Sequence, residues 1–287
     1  MNIQKVGRGA SSVLRHVFLA IVAIFWLAPI IWLLLTAFSD FPGINIRKFV
    51  PDGFTLENFR LLLFDTSDTV ARFPVWFTNT LQIAILSCIV SSCFVLMVSY
   101  VMSRMRFRGR RSLMSFGVIL GLFPGFLSMI AVYFILATLE LTNSHMGLVL
   151  IYSGSSGLGY LIAKGFFDTI SETLSESARL DGATEAQVFR LIIIPLSKPI
   201  IVYTVISAFL LPWMDFMFAS IMIPSKDVND WTVATGLYRM INNRFNRNTH
   251  FARFCAGGVL VSIPISVLFV IMQKFYVEGI TGGAVKG

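Results

Sequence analysis

Between Glu176 and Ile200 the chain reads ESARLDGATEAQVFRLIIIPLSKPI, a polar, helix-patterned stretch set between long apolar runs. Thr173-x-x-Glu176 and Thr184-x-x-Gln187 both have the capping-box form that satisfies orphan N–H groups at a helix start, so the spacing predicts two short helices. Asp181-Gly182 lies between them, where a glycine can take the left-handed conformation that ends one helix and redirects the chain into the next. Leu174 and Ala178 share one face of the first helix, and Ala186, Phe189 and Ile193 share one face of the second. Glu176, Arg179, Glu185 and Arg190 are left to water or a partner. Pro195 and Pro199 flank the start of the next apolar run, at first-turn or kink positions. The stretch is therefore a polar elbow leading into a membrane helix.

Working outward, the chain is 56% hydrophobic and 13% charged, with a mean hydropathy of +0.77. Soluble domains carry about a quarter charged residues, so this is an all-α, polytopic membrane protein. Stretches free of Asp, Glu, Lys and Arg run from His16 to Ser39, Phe73 to Ser103, Ser112 to Leu139, Leu141 to Ala163, Pro199 to Met214 and Phe254 to Gln273. They predict six transmembrane helices; the fifth is short, but its apolar run resumes beyond Asp215 as far as Pro224, and about 20 residues cross the bilayer core. Arg104, Arg106, Arg108, Arg110 and Arg111 crowd the connection between the second and third spans, which places it, and both termini, in the cytoplasm. Arg239, Arg244, Arg247 and Arg253 fall on the outside in this topology, in the longer excursion Lys226 to Arg253, where the charge rule is weaker and exposure to a partner accounts for them.

The resulting division is a cytoplasmic N-terminus at 1–16, a first membrane helix at 17–39, an external segment at 40–71, five further helices within 72–273 with the elbow in a loop at 164–198, and a cytoplasmic tail at 274–287. In the external segment, Leu56 to Leu62 is patterned as a short amphipathic helix. The first apolar run is too long for a signal core and lacks a small-residue cleavage site, so it reads as a retained span. Cys88, Cys93 and Cys255 are odd in number and sit in or beside spans, which favours ordinary apolar packing.

The spacing Glu176, Ala178, Gly182, Ile192, Pro195 is similar to the EAA loop of permease subunits in binding-protein-dependent ABC importers, with Ser177 for the second alanine and Ile194 for the usual leucine. Asn79-Thr80, SYVMSRMRFRGRR from Ser99, KGFFDTISETLSESARLDGAT and the terminal QKFYVEGITGGAVKG resemble maltose- and maltodextrin-type permeases across most of the chain. The resemblance implies a type I importer permease fold with a cytoplasmic coupling helix, in a multi-pass subunit of a bacterial inner or plasma membrane. It implies contact with an ATPase through Glu176, Ser177, Ala178, Asp181, Gly182, Ala183, Ile192 and Pro195, and a C-terminal tail reaching towards the ATPase subunits. The implied partners are a second permease in a heterodimer, two ATPase subunits, an external solute-binding protein and an oligosaccharide substrate; nucleic acid is not among them.

No G-x-x-x-x-G-K-[ST] phosphate cradle occurs, so ATP and Mg2+ belong on a partner chain and no cofactor is expected on this one. His16, His145 and His250 are isolated, which gives no metal-ligating set and no catalytic constellation. An ion-coupled transporter or channel, working without ATP, is the competing class, but it would be expected to carry ionisable groups in its spans. The spans here are nearly bare. Asp215, in LPWMDF, is the exception, either as an acid capping a kink or as part of a substrate path. Tyr152, Ser155 and Trp213 are further path candidates, although Ser153/Gly157 and Ser155/Gly159 also have the small-xxx-small spacing of close helix packing, and Trp76, Trp213 and Trp231 suit interfacial anchoring as well as sugar stacking.

Overall fold

A chain in hydrocarbon must satisfy its own N–H and C=O groups, and helices do this within each segment. The structure, a computed structural model, describes residues 3–44, 48–65, 72–154, 159–225, 227–242 and 244–284. Among these the regular elements are helical, apart from one isolated bridge between Ser39 and Phe54. The α-helices are α1 (Ile3–Ala37), α2 (Glu57–Phe64), α3 (Phe73–Arg104), α4 (Arg110–Gly121), α5 (Gly125–Thr138), α6 (His145–Gly154) and α7 (Gly159–Asp168). They continue with α8 (Glu172–Leu180), α9 (Glu185–Val188), α10 (Ile194–Leu196), α11 (Lys198–Met214), α12 (Met217–Met222), α13 (Val233–Met240) and α14 (Arg244–Ala284).

Two compact units divide the chain: 1–71 with 239–262, and 72–238 with 263–287. In the first, no side chain of α1 from Leu14 to Leu35 is buried against protein, which suits a helix whose solvent is lipid. Its C-terminal carbonyls need partners, and the buried Asn58 supplies them, donating Nδ2 to Ala37 O at 3.0 Å and Ser39 O at 2.7 Å. Asn58 belongs to the short helix expected over Leu56 to Leu62, which forms as α2. Phe38 and Phe59 pack beside this cap, ring centroids 4.9 Å apart.

The second unit is built around α3, which packs against α6, α7 and α11. One apolar cluster, with Ile83, Leu148, Tyr152 and Met222, surrounds the N-terminal half of α3; another, with Val95, Leu96, Tyr100, Phe167, Val188 and Ile193, surrounds its C-terminal end. At the N-terminal end, Trp76 Nε1 donates to Val228 O at 2.6 Å, Asn79 Nδ2 to Asn229 O at 2.7 Å, and Thr80 Oγ1 accepts from Val233 N–H at 2.8 Å. Trp76 and Trp231 pack 5.9 Å apart, and a side chain on Gly236 would overlap the Trp76 ring. Both tryptophans are buried packing groups in this unit.

Four helices among the described residues are long and apolar enough to cross a membrane, and a fifth forms if the bent pair Glu185–Leu196 and Lys198–Met214 counts as one span. The third apolar run departs from the sequence expectation of one continuous helix. It breaks into α4 and α5 around Phe123-Pro124, because proline has no N–H to give a helical ladder. The fifth run likewise stops at Met214, and Asp215 and Phe216 separate α11 from α12. The stretch set apart as a tail from residue 274 continues α14 as far as Ala284.

Candidate functional site

The elbow forms at Gly182, whose φ of +86° lies in the left-handed region. Gly182 N–H donates to Arg179 O at 3.0 Å and Ala183 N–H to Ala178 O at 2.9 Å, the paired bonds that close a helix end in a Schellman turn. The next helix opens with a complete capping box: Gln187 N–H donates to Thr184 Oγ1 at 3.3 Å, and Thr184 N–H donates to Gln187 Oε1 at 2.7 Å. The first expected box does not form. Helix α8 begins two residues earlier than Thr173-x-x-Glu176 requires, with Ser171 at the cap position and no side-chain cap bond. Ser171 Oγ instead meets Thr173 Oγ1 at 2.7 Å.

Beyond Val188 the backbone widens into a single π-turn over Phe189–Ile193, in which Ile194 N–H reaches Phe189 O. Pro195 follows at once; lacking an N–H, it cannot continue an ordinary ladder, and a wider turn absorbs the missing bond. This turn shifts the buried face from the one a regular helix would present. Val188 and Ile193 are fully buried, Phe189 is half-buried, and Ala186, expected on that face, is exposed. On α8 it is Ser175 that is buried, Ala178 is half-buried, and Leu174 is exposed. The chain then bends by 86° into α11, where Pro199 occupies the first turn.

Two charges expected to face water are engaged instead. Arg179 Nε donates to Glu185 Oε1 at 2.6 Å, bridging α8 to α9 across the Gly182 turn. The other oxygen, Glu185 Oε2, accepts from Tyr100 O–H at 2.7 Å, and the Tyr100 ring lies 4.9 Å from that of Phe189. The Arg179 hydrogen bond first, and the Tyr100 hydrogen bond second, hold the Glu185 carboxyl below its ordinary pKa. The last two turns of α3 carry the remaining fastenings. Ser99 Oγ donates to Tyr160 O at 2.9 Å, Ser103 Oγ to Asp168 Oδ1 at 2.6 Å, and Arg104 Nη2 to Phe167 O and Ile170 O, both at 2.6 Å, where α7 ends.

Of the residues singled out in the sequence, Glu176, Ser177, Asp181, Gly182 and Pro195 are exposed, while Ala178, Ala183 and Ile192 are half-buried against the elbow. Leu180 at 89% and Leu191 at 66% exposure stand uncovered on an otherwise polar segment. Tyr100 was visible only as part of SYVMSRMRFRGRR. The signal that marks it is physical: a tyrosine in the last turns of an apolar run needs an acceptor for its O–H.

A separate cavity of about 760 Å³ opens in the second unit, with Met129, Val132, Leu136, Tyr152, Leu211 and Asp215 in its wall. Tyr152 O–H donates to Asp215 Oδ2 at 2.7 Å, and Asp215 Oδ1 accepts from Phe218 N–H at 3.0 Å, which caps the start of α12. Tyr152 and Asp215, named separately from sequence, are thus one pair. Trp213 is not in the cavity wall; it is buried between Phe77 and Phe209, at 5.2 and 6.0 Å. Ser155, with the Ser155/Gly159 and Ser153/Gly157 spacings, lies outside the described residues. Among the described residues no cluster of His, Cys, Asp and Glu could hold a metal ion.

Residues 95–281 match the profile of the binding-protein-dependent transport system inner membrane component. Over 284 residues the chain is 29% identical to the galactooligosaccharides transport system permease protein GanQ of Bacillus subtilis strain 168, covering 99% of this chain and 98% of that one. It is 34% identical over 270 residues to the maltose/maltodextrin transport system permease protein MalG of Yersinia pestis, covering 89% and 88%. A crystal structure of a bacterial ABC transporter that imports the acidic polysaccharide alginate contains a chain of the same fold, with a TM-score of 0.73, 21% identity, and coverage of 94% and 98%.

Proposed function

This chain belongs to the family of inner membrane components of binding-protein-dependent transport systems, and from that premise we propose that its elbow is the surface through which a separate ATPase moves the membrane helices. The chain is a permease subunit of an ATP-driven importer, a multi-pass membrane protein and not an enzyme. A solute-binding protein and an ATPase are the partners its family requires.

The observation that carries the elbow's role is its combination of internal rigidity and outward apolar side chains. The Schellman turn, the capping box and the Arg179–Glu185 bridge fix α8 against α9. Leu180 and Leu191 remain exposed beside Glu176 and Asp181. An anionic inner leaflet is a poor resting place for Glu172, Glu176, Asp181 and Glu185 together, whereas a protein surface can match both the leucines and the acids. Glu176, Ser177, Ala178, Asp181, Gly182, Ala183, Ile192 and Pro195 form or support that contact. Closure of the ATPase subunits pushes the elbow, and α3 and α11 carry the displacement into the spans, alternating access to a central path.

In the full assembly the chain spans the membrane six times with both termini in the cytoplasm, α4 with α5 and α11 with α12 each making one broken span. It pairs with a second, different permease above two ATPase subunits that hold ATP and Mg2+, and binds no cofactor itself. The external excursion Lys226 to Arg253 meets the solute-binding protein. The names of the relatives point to neutral oligosaccharides, with maltodextrin-like sugars first and galactooligosaccharides second. Within the cavity we give Tyr152 and Asp215 the task of holding the wall in shape, since each carboxylate oxygen of Asp215 already has a partner inside the protein.

Uptake of labelled maltodextrin into proteoliposomes tests the reading. Uptake that needs ATP, the ATPase and the binding protein supports it; uptake by this chain alone, driven by an ion gradient, overturns it.

A further inference from the structure

The arginines around the α3–α4 connection differ in how firmly the protein itself holds them. Arg104 is spent on the carbonyls of Phe167 and Ile170. Arg110 is half-buried, donates to Met105 O and Ser103 O at 3.4 Å, and also interacts electrostatically with the Asp168 carboxylate. Arg106 and Arg111 are exposed, and Glu172 lies 3.8 Å from Arg106. Arg106, Arg110 and Arg111, with Phe107, Gly109 and Ser112, line an open surface pocket of about 320 Å³. Arg108, in the same short loop, is exposed but does not line it.

The geometry points to a binding site for the phosphodiester headgroup of an anionic phospholipid. Three arginines lining one open pocket suit a phosphodiester, because a guanidinium fork can donate two parallel hydrogen bonds to its paired oxygens. The pocket also opens at the head of an apolar track: Leu113, Phe116 and Leu120, spaced to share one face of α4, are all exposed. A lipid satisfies both features at once, with its headgroup in the pocket and an acyl chain along α4, where a free anion would leave the track bare. The inference rests on the reading above, in which this loop lies at the cytoplasmic boundary of the membrane; there the inner leaflet supplies the anionic headgroups.

The test uses the purified membrane complex containing this chain, loaded with phosphatidylglycerol, exchanged into neutral detergent and examined by native mass spectrometry for retained lipid. The wild type is expected to retain phosphatidylglycerol in preference to phosphatidylethanolamine. Arg106→Gln and Arg111→Gln should each lower retention about fivefold, while Arg106→Lys keeps most of it. Arg108→Gln should leave retention unchanged. Retention in the Arg106→Gln, Arg111→Gln double variant equal to wild type overturns the site, and an equal loss in Arg108→Gln overturns it in favour of diffuse surface charge. Displacement of the lipid by glycerol 1-phosphate at the concentration of lipid overturns the role of the α4 track. The orientation is tested apart: with the three native cysteines replaced by alanine, Arg108→Cys should react with a membrane-impermeant thiol reagent in inside-out vesicles only. Reaction in right-side-out vesicles would overturn the topology, whatever the lipid count.

Discussion

Tyr100 donates its phenolic O–H to the Glu185 carboxylate across 2.7 Å, so a residue near the end of a long membrane helix holds a residue of the polar elbow directly. Glu185 in turn holds Arg179 on the other side of the turn. A load placed on α8 therefore reaches α3 through three side chains, in parallel with the apolar contacts of Val188 and Ile193.

Removing only the hydroxyl isolates this link. Tyr100→Phe keeps the ring beside Phe189 and loses one hydrogen bond, a local cost of about 1 kcal/mol. Membrane insertion and assembly are expected to match wild type, while more ATP is hydrolysed per sugar imported. Tyr100→Leu, which also loses the ring contact, should be worse. A wild-type ratio of hydrolysis to uptake in Tyr100→Phe would show that the apolar contacts suffice.

The same link should respond to acid. Because Glu185 has a lowered pKa in the folded protein, its contribution is complete above the ordinary glutamate value of about 4.5 and is lost as pH falls through the lowered value. Protection of the 183–188 amides, taken relative to their intrinsic exchange rates, should fall over that acidic window in wild type and show no such step in Glu185→Gln. Since the Arg179–Glu185 pair is partly exposed, a double-mutant cycle on it should yield less than about 1 kcal/mol.

Gly182 allows a graded series. A side chain there would meet nothing within 4 Å, so the penalty is that of the backbone alone. Asn, which tolerates the left-handed region, should largely preserve coupled transport, and Ala should cost about 1–2 kcal/mol in elbow stability. Gly182→Asp adds charge beside Asp181 and should uncouple hydrolysis from uptake with the protein still inserted. Equal coupled transport throughout the series would remove the elbow from the mechanism.

Asp215 separates a cap from a transport ligand. Asp215→Asn still offers an oxygen to Phe218 N–H and is expected to transport normally, whereas Asp215→Ala should lose about 1 kcal/mol of helix start along with the Tyr152 bond. Impaired uptake in Asp215→Asn at wild-type stability, measured as raised KM for sugar, would instead make the carboxylate part of the path.

Much of this was legible beforehand because it rests on local rules. Gly182 and the Thr184–Gln187 box are short-range devices, and apolar runs mark spans by composition alone. The readings that changed depend on contacts distant in sequence or on a break in periodicity. Arg179 and Glu185 look free along the chain, but they are close in space only because Gly182 turns α8 back on α9. Ala186 gave way to Val188 because the π-turn before Pro195 departs from the 3.6-residue period on which any face assignment relies. The third span broke at Pro124, where an uninterrupted apolar run masked a missing donor.

Helix α3 grips a loop at each end: Trp76, Asn79 and Thr80 hold residues 228–233, while Ser99, Tyr100, Ser103 and Arg104 hold α7, the turn after it and the elbow. At 32 residues it is a rod of roughly 48 Å, and the phase between its two sets of fastenings is fixed by helix winding. One inserted residue at mid-length would turn one set against the other by about 100°. The arrangement resembles a camshaft: the 228–233 loop and the elbow keep a fixed phase because the side chains that hold them are cut on a single shaft.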